Sequence, residues 1–462
     1  MVRRDSEESS GNALLTLPRV VIAAPSTGQG KTTVATGLMA ALRASGMSVS
    51  GHKVGPDYID PGYHAVACGR PGRNLDPHLV GEERVVPLLL HGALTPVPAD
   101  VAIVEGVMGL FDGRVGQDGY ASTAHVSRLT RSPVVLVVDI SRSSRTIGAV
   151  VHGLATYESG VDVAGVILNQ AGSPRHAAEV ASSLRVPVLG MIPRNEQLAT
   201  PSRHLGLVPA GERAEAVAVV ESWGAAVAEH VDLEAVVEIA RNAPGLSDTP
   251  WAAEAEVRPV PGSPVVAMAG GRAFTFRYAE TEELLRAAGC EVVSFDPMVD
   301  EALPESTTAV YLGGGFPEVH ANELTTNMPL REALANTIAD GIPTVAECAG
   351  LLYLCDSLDS SPMVGSIEAS AVMTGRLTLR YPIMAAATDN LLSRRGELVT
   401  GHEFHRTDTA PGRGAAAAWT VDGVDYGFAG PALHASYFHT HWAGHPSMAQ
   451  RFAEAAASFG RG

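Results

Sequence analysis

From residue 20 onward, short uninterrupted apolar runs alternate with Ala-rich stretches of helical character. VVIAAP (20–25), VAIVEG (101–106), PVVLVVD (133–139) and VAGVILNQ (163–170) are β-branched and carry no polar alternation. Strands that are apolar on both faces and separated by helices predict a parallel sheet covered on both sides. The rhythm breaks at APGLSDTPWAAEAEVRPVPGSP (243–264), a Pro-rich stretch that reads as a linker. It restarts with VVAMAGG (265–271), a helix through residues 282–288, EVVSF (291–295) and AVYLGGG (309–315). The expectation is an α/β protein of two domains, residues 19–242 and 265–462. A polar leader, residues 1–18, is expected to be disordered and lacks the apolar core of a signal peptide.

The 462 residues, 46% of them hydrophobic, agree with two cores rather than one. A formal net charge of -17 argues against a nucleic-acid partner, since phosphate backbones are bound by clustered Lys and Arg. No run approaches the roughly 20 apolar residues of a spanning helix, which argues against a membrane. Four cysteines without CxxC spacing suit a reducing compartment, so a cytoplasmic protein is expected.

Candidate chemistry gathers where apolar runs end. APSTGQGKTT (24–33) matches the end of a phosphate-binding loop, with Pro25 where the first Gly of GxxxxGK[ST] stands. Gly28 and Gly30 let backbone N–H groups close on phosphate oxygens, Lys31 bridges the outer phosphates, and Thr32 offers a hydroxyl to Mg2+. Thr33 completes this nucleotide set. Carboxylates for a magnesium nucleotide come from HKVGPDYIDPGYH (52–64), with Asp57 and Asp60, and from VEGVMGLFDG (104–113), with Glu105 and Asp112. Lys53 and Arg203 are the candidate cations for an anionic substrate.

These strings resemble the ATPase half of the cobyrinic acid a,c-diamide synthase family, whose fold is related to dethiobiotin synthetase. LNQAGSPRH (168–176) and PSRHLGLVPA (201–210) extend the likeness. The resemblance implies an N-terminal P-loop domain with Thr32, Asp57 and Glu105 around a magnesium ion. Tyr58, Asp60 and Asp112 join Lys53 and Arg203 beside the substrate, and Asn169 lies where related folds read adenine.

In the second half, PTVAECAGLLYL (343–354) is a short strand, a cysteine and a helix, the pattern of a nucleophile elbow whose helix dipole lowers the thiol pKa. YLGGGFPE (311–318) and ASYFHTHWAGHP (435–446) supply partners. The order resembles a class I glutamine amidotransferase. By that resemblance Cys348 is the nucleophile, His439 its base, and Gly314, Gly315 and Ala349 form the oxyanion hole. His441 stands where the usual triad has Glu, which leaves the third member open. GHEFHRT (401–407) lacks HExxH spacing, so His402, Glu403 and His405 are not read as zinc ligands.

An ATPase joined to a glutaminase implies an amide synthase. ATP phosphorylates a carboxylate, and ammonia released from glutamine and passed internally attacks the acyl phosphate. The resemblance implies Mg2+ and ATP, a corrinoid substrate amidated at its a and c acetates, glutamine as nitrogen donor, and a homodimer as one possible assembly. A different tetrapyrrole such as nickel-sirohydrochlorin, cobyric acid synthesis, a partition-type ATPase and an ATP-independent glutaminase are the alternatives. The partition ATPase has no use for Cys348 and His439.

Overall fold

The computed structural model describes residues 3–4, 14–195, 202–203, 206–212 and 215–461. The chain divides into two compact units, Met1–Trp251 and Ala252–Gly462, with the boundary inside the Pro-rich stretch. That stretch is hydrogen-bonded on either side of the boundary: the Trp251 N–H donates to Pro87 O and the Val260 N–H to Ala288 O.

The first unit is built on a seven-stranded parallel sheet. Its strands are β1 (Arg19–Ala23), β2 (Val49–Val54), β3 (Arg73–Leu75), β4 (Val101–Glu105), β5 (Val134–Asp139), β6 (Val163–Ala171) and β7 (Val188–Pro193), in the order β3-β2-β4-β1-β5-β6-β7. Every residue of β1, β2 and β4 is buried, as apolar strands covered on both faces must be. The crossover after β1 runs to one side and that after β5 to the other. The crevice outside their carboxyl ends is therefore a topological switch point, where open α/β sheets take ligands. Helix α1 (Lys31–Ala44) leaves β1, and α2 (Ile59–Cys68) follows β2. The helix α3 (Ala216–His230) approaches α1 so closely that a Cβ on Gly37 would lie 2.8 Å from Trp223 O.

The second unit holds a six-stranded sheet and an eight-stranded sheet. The strands used below are β8 (Val265–Ala269), β9 (Glu291–Phe295), β10 (Thr307–Leu312), β11 (Thr344–Glu347), β12 (Ile367–Arg380), β13 (Leu398–Ala410), β14 (Phe428–Ala429), β15 (Leu433–Ser436) and β16 (His439–Thr440). The first sheet runs β9-β8-β10-β11-β15-β14, parallel except for the β14 edge. Ala267, Val310, Leu312 and Ala346 belong to its core, with Leu351 and Leu352 of α4 (Ala349–Leu354) packed on them. β12 and β13 form the long antiparallel pair of the second sheet, and β16 pairs with β13. Thus the fold is α/β with two domains, as expected.

Candidate active site

In the first unit, β1 opens into an exposed loop at Ser26, Thr27 and Gly28, then enters α1. Gly28 and Gly30 have φ of 83° and 88°, a region that L side chains avoid. At Gly30 a Cβ would come within 2.3 Å of Asn169 Nδ2. The loop is fastened to its neighbours: Asn169 Nδ2 donates to Gln29 O at 2.9 Å, and the Asp139 N–H donates to Gln29 Oε1 at 2.8 Å. The Asn169 amide oxygen also accepts the Gln170 N–H, so this side chain braces the loop. Lys31 is buried and donates to Met108 O at 2.5 Å and Ser26 O at 3.3 Å. Burial and the charge of Lys53 lower its pKa to about 8, against the pull of Glu105, Asp60 and Asp112.

Behind the loop lies a buried ionic cluster. The Thr32 hydroxyl donates to Glu105 Oε1 at 2.7 Å and lies 3.2 Å from Asp60 Oδ2. Lys53 Nζ reaches Asp60 Oδ2 at 2.6 Å, Glu105 Oε1 at 2.9 Å and Gly106 O at 3.0 Å. Burial opposes the Glu105 charge, but Lys53, His64 and Thr32 outweigh it and hold this carboxyl well below its usual range. Burial likewise opposes the Lys53 charge, and Asp60, Glu105 and Asp57 outweigh it, so Lys53 stays cationic. Asp60, buried beside Asp57 and Glu105, is pushed up.

Asp57 turns its carboxylate onto the Ile59 and Asp60 amides, at 2.7 and 3.0 Å, and so starts α2. Tyr58 is half-buried beside it. Asp112 accepts the Gly109 N–H at 2.8 Å, holding the turn whose Met108 carbonyl binds Lys31. Thr33 is half-buried in the first turn of α1. The Arg203 side chain lies outside the described residues. His64, whose Nε2 is 2.7 Å from Glu105 Oε2, was not among the expected site residues. Its signal was the i,i+4 spacing from Asp60, which puts both on one face of α2.

The donor set suits a nucleotide carried with Mg2+. The loop presents glycine backbone and a lysine held only by neutral carbonyls, and the Thr32 hydroxyl shares one spot with two carboxylates. Among the described residues no group of three or more His, Cys, Asp or Glu is arranged to hold a metal alone. Mg2+ takes one or two protein carboxylates and completes its shell with phosphate oxygens and water.

In the second unit, β11 ends at Glu347, and Cys348 turns the chain into α4 with φ 50° and ψ -99°. Parallel pairing sets Glu347 beside Ser436, and the Cys348 N–H donates to Ser436 O at 2.8 Å. His439, three residues further on, thereby comes to the same strand ends as Cys348. Both are buried. A Cβ on Gly314 would lie 2.4 Å from His439 Cε1, which is why the strand opens into glycine here. Gly314 donates its own N–H to Phe276 O at 3.1 Å. The expectation that it serves as an oxyanion donor is therefore corrected: Gly314 makes room for the imidazole, and Gly315 and Ala349 remain the candidate donors. Gly315 packs so tightly that a Cβ would fall 2.0 Å from Ala273 O.

The expected lowering of the Cys348 pKa is also corrected. Burial pushes the thiol well up, Glu318, Glu403 and Glu347 push the same way, and the Ala349 amide alone opposes them. A dry pocket among carboxylates disfavours a second anion more than one short helix can offset. His441 stacks on Tyr278 with centroids 4.1 Å apart and lies 3.7 Å from Glu280. In the segment 401–407, His402 stacks on His439 and meets the Tyr278 hydroxyl, while His405 stacks on Tyr437. Glu403 pairs with Arg380 and His405.

Comparison with known proteins agrees with both halves. Residues 20–208 match the CobQ/CobB/MinD/ParA nucleotide binding domain, and residues 265–447 match the CobB/CobQ-like glutamine amidotransferase domain. The chain is 58% identical to a hydrogenobyrinate a,c-diamide synthase of Thermobifida fusca, over 96% of this chain and 97% of that one. This chain belongs to the a,c-diamide synthase family. A hydrogenobyrinate a,c-diamide synthase of Streptomyces coelicolor is 52% identical over 97% of this chain and 99% of its own. A cobyrinate a,c-diamide synthase of Synechococcus is 39% identical over 94% and 98%. Family membership thus spans both units.

Proposed function

We propose that this chain amidates the a and c carboxylates of hydrogenobyrinate, using glutamine as nitrogen donor and ATP as activator. The observation that carries the reading is the pairing, in one chain, of a phosphate loop over a Lys–carboxylate cluster with a buried Cys–His pair at adjacent strand ends. Relatives named for hydrogenobyrinate are 58% and 52% identical, against 39% for one named for cobyrinate, which favours the cobalt-free macrocycle.

At the second site His439 takes the Cys348 proton as the sulfur attacks the glutamine carboxamide. The C–N bond breaks, ammonia leaves with that proton, and water releases glutamate from the thioester. A base is required because burial holds the thiol protonated. The amides of Gly315 and Ala349 face the oxyanion.

At the first site, amides of residues 28–30 and the Lys31 ammonium bind the phosphates. Thr32, Glu105 and Asp60 would hold Mg2+, which neutralises phosphate charge when bound, while Asp57, expected as a ligand, is engaged with the amides that start α2. Lys53, kept cationic within the cluster, steadies Asp60 and Glu105 as a carboxylate substrate approaches. Tyr58 and Asp112 border that approach, and Asn169 keeps the loop in place against the nucleotide. The four cysteines are free thiols, in keeping with a reaction in the cytoplasm.

The test is amidation of hydrogenobyrinate and cobyrinate, each with glutamine and Mg-ATP, followed by mass. Two additions of one amide each on hydrogenobyrinate are expected. Turnover confined to the cobalt form, or to another tetrapyrrole, would replace the substrate assignment and leave the chemistry standing.

A further inference from the structure

The residue that stands two places after His439, His441, faces Glu280 and Tyr278 rather than His439. An acidic partner for the base does exist, on a different strand. Glu347, the last residue of β11 and the neighbour of Cys348, is 3% exposed, and its Oε2 lies 3.8 Å from His439 Nδ1. We infer that Glu347 is the positioning residue of this glutaminase, supplied from the nucleophile's own strand in place of a carboxylate after the histidine. This rests on the reading of Cys348 and His439 as the glutaminase pair.

The carboxylate is held from several sides. Glu347 Oε1 accepts the Thr440 N–H at 3.2 Å and the Thr440 hydroxyl at 2.9 Å, and Trp442 Nε1 in turn donates to that hydroxyl at 3.2 Å. Glu347 Oε2 accepts the Tyr311 hydroxyl at 3.0 Å. Because Thr440 follows His439, Oε1 grips the backbone that carries the base while Oε2 is turned toward its ring. The other edge of the ring, Cε1 and Nε2, lies against Gly314 at the strand end. With Nδ1 facing Glu347, Nε2 is the ring nitrogen left to serve as the proton acceptor. A separation of 3.8 Å exceeds a hydrogen bond, and such contacts commonly tighten when substrate arrives.

The chemistry follows from charge. When the Cys348 proton moves to His439 Nε2, the imidazole becomes a cation in a buried pocket, and a fixed anion facing Nδ1 stabilises it. The titratable groups around this pair are Glu347 from β11, Tyr311 from β10, His402 stacked from β13, Cys348 itself, and Glu318 and Glu403, whose charges act on Cys348. Burial and the Glu347 charge push the Tyr311 hydroxyl well up, so it remains a donor to the carboxylate.

Glu347→Gln separates positioning from mere packing. Its amide oxygen can still accept from Thr440, which turns the NH2 toward His439 Nδ1 and imposes the tautomer with the proton on Nε2. Glutamine-dependent kcat should fall about a hundredfold with KM little changed, while the ammonium-dependent rate is the reference within each preparation. The acid limb of the glutaminase pH profile should move to lower pH, because the anion that stabilises the imidazolium is gone. A glutamine-to-ammonium ratio within about threefold of the parent and an unmoved limb would overturn the inference. If Glu347→Gln also loses the ammonium-dependent rate, Tyr311→Phe decides. Freed of that donor, Oε2 should stabilise the imidazolium more strongly and move the limb up, and an unmoved limb overturns the inference. Cys348→Ser is the control on the underlying reading. If that variant keeps glutamine use, the glutaminase assignment falls; if only Glu347→Gln is silent, the assignment stands and Glu347 is structural.

Discussion

The turn after β1 and the turn after β11 are both strand-to-helix corners at the carboxyl edge of a parallel sheet, yet they are built oppositely. The first bends at Gly28 and Gly30 and is exposed at residues 26–28, so what it displays is backbone. The second bends at Cys348 itself, with positive φ on a residue that has a Cβ, and every residue from β11 through α4 is buried. Amides that meet a charged, hydrated phosphate need access and conformational freedom. A thiol that must attack one carbon needs a fixed position in a dry pocket, and dryness raises its pKa. The same corner therefore demands a base in one unit and a counter-charge cluster in the other.

The sharpest way to break this comparison is to remove each display in turn. Cys348→Ser or His439→Ala should lower the glutamine-dependent rate roughly a thousandfold relative to the ammonium-dependent rate. Parallel assays with the two nitrogen donors check it, and equal losses would mean the corners are not separate sites. Lys31→Ala or Glu105→Gln should lower amidation with both donors, by roughly a hundred- to a thousandfold, because phosphate charge is no longer met where the acyl phosphate forms. Normal turnover on ammonium in either variant would make the loop structural.

Adding one methyl group tests the geometry of each corner. Gly314→Ala drives a Cβ toward a site 2.4 Å from His439 Cε1, and a misplaced base is expected to cost about a hundredfold in glutaminase rate. Gly30→Ala meets Asn169 and a φ of 88°, a strain of roughly 1–2 kcal/mol. It should weaken ATP binding about tenfold, measurable by calorimetry, and leave glutaminase activity intact. Loss of glutaminase activity in Gly30→Ala would join the two corners that the comparison separates.

The smallest effect concerns a third strand end. Asp76, just after β3, is fully buried, caps the turn 77–80 through the His78 and Leu79 amides, and has its pKa raised to about 7 by burial. Between its ordinary value and about 7 the folded state holds more protons than the unfolded chain, so stability falls as pH rises through that window. Asp76→Asn should flatten the decline, giving a melting temperature a few degrees higher than the parent at pH 8 and about equal at pH 4. Parallel melting curves at the two pH values check this, and a parent curve that rises over the window would reverse the sign.

Much of the fold is legible in the chain itself. Apolar runs without alternation mark strands buried on both faces, and glycine with Lys-Thr after such a run marks a phosphate corner, because few residue types satisfy either requirement. Asp60, Glu105 and Lys53 were named from their loops, and the structure brings them together with Thr32. His64 and Glu347 were passed over although both stand inside quoted motifs. A buried histidine or a Glu at a strand end has no local mark until its partner's position is known.

What the sequence by itself determined is therefore the local pattern: parallel strands, the two corners, the cysteine at the second of them and the family to which the chain belongs. Only the tertiary structure decided which neighbours those groups face. Parallel register of β11 with β15 puts Glu347 and Cys348 beside Ser436 and hence near His439. Pairing of β13 with β16 stacks His402 on that base, and Gly314 proves to be a space rather than a donor. Each depends on contacts between residues tens of positions apart, where pKa and orientation follow from burial and charge that no single segment carries.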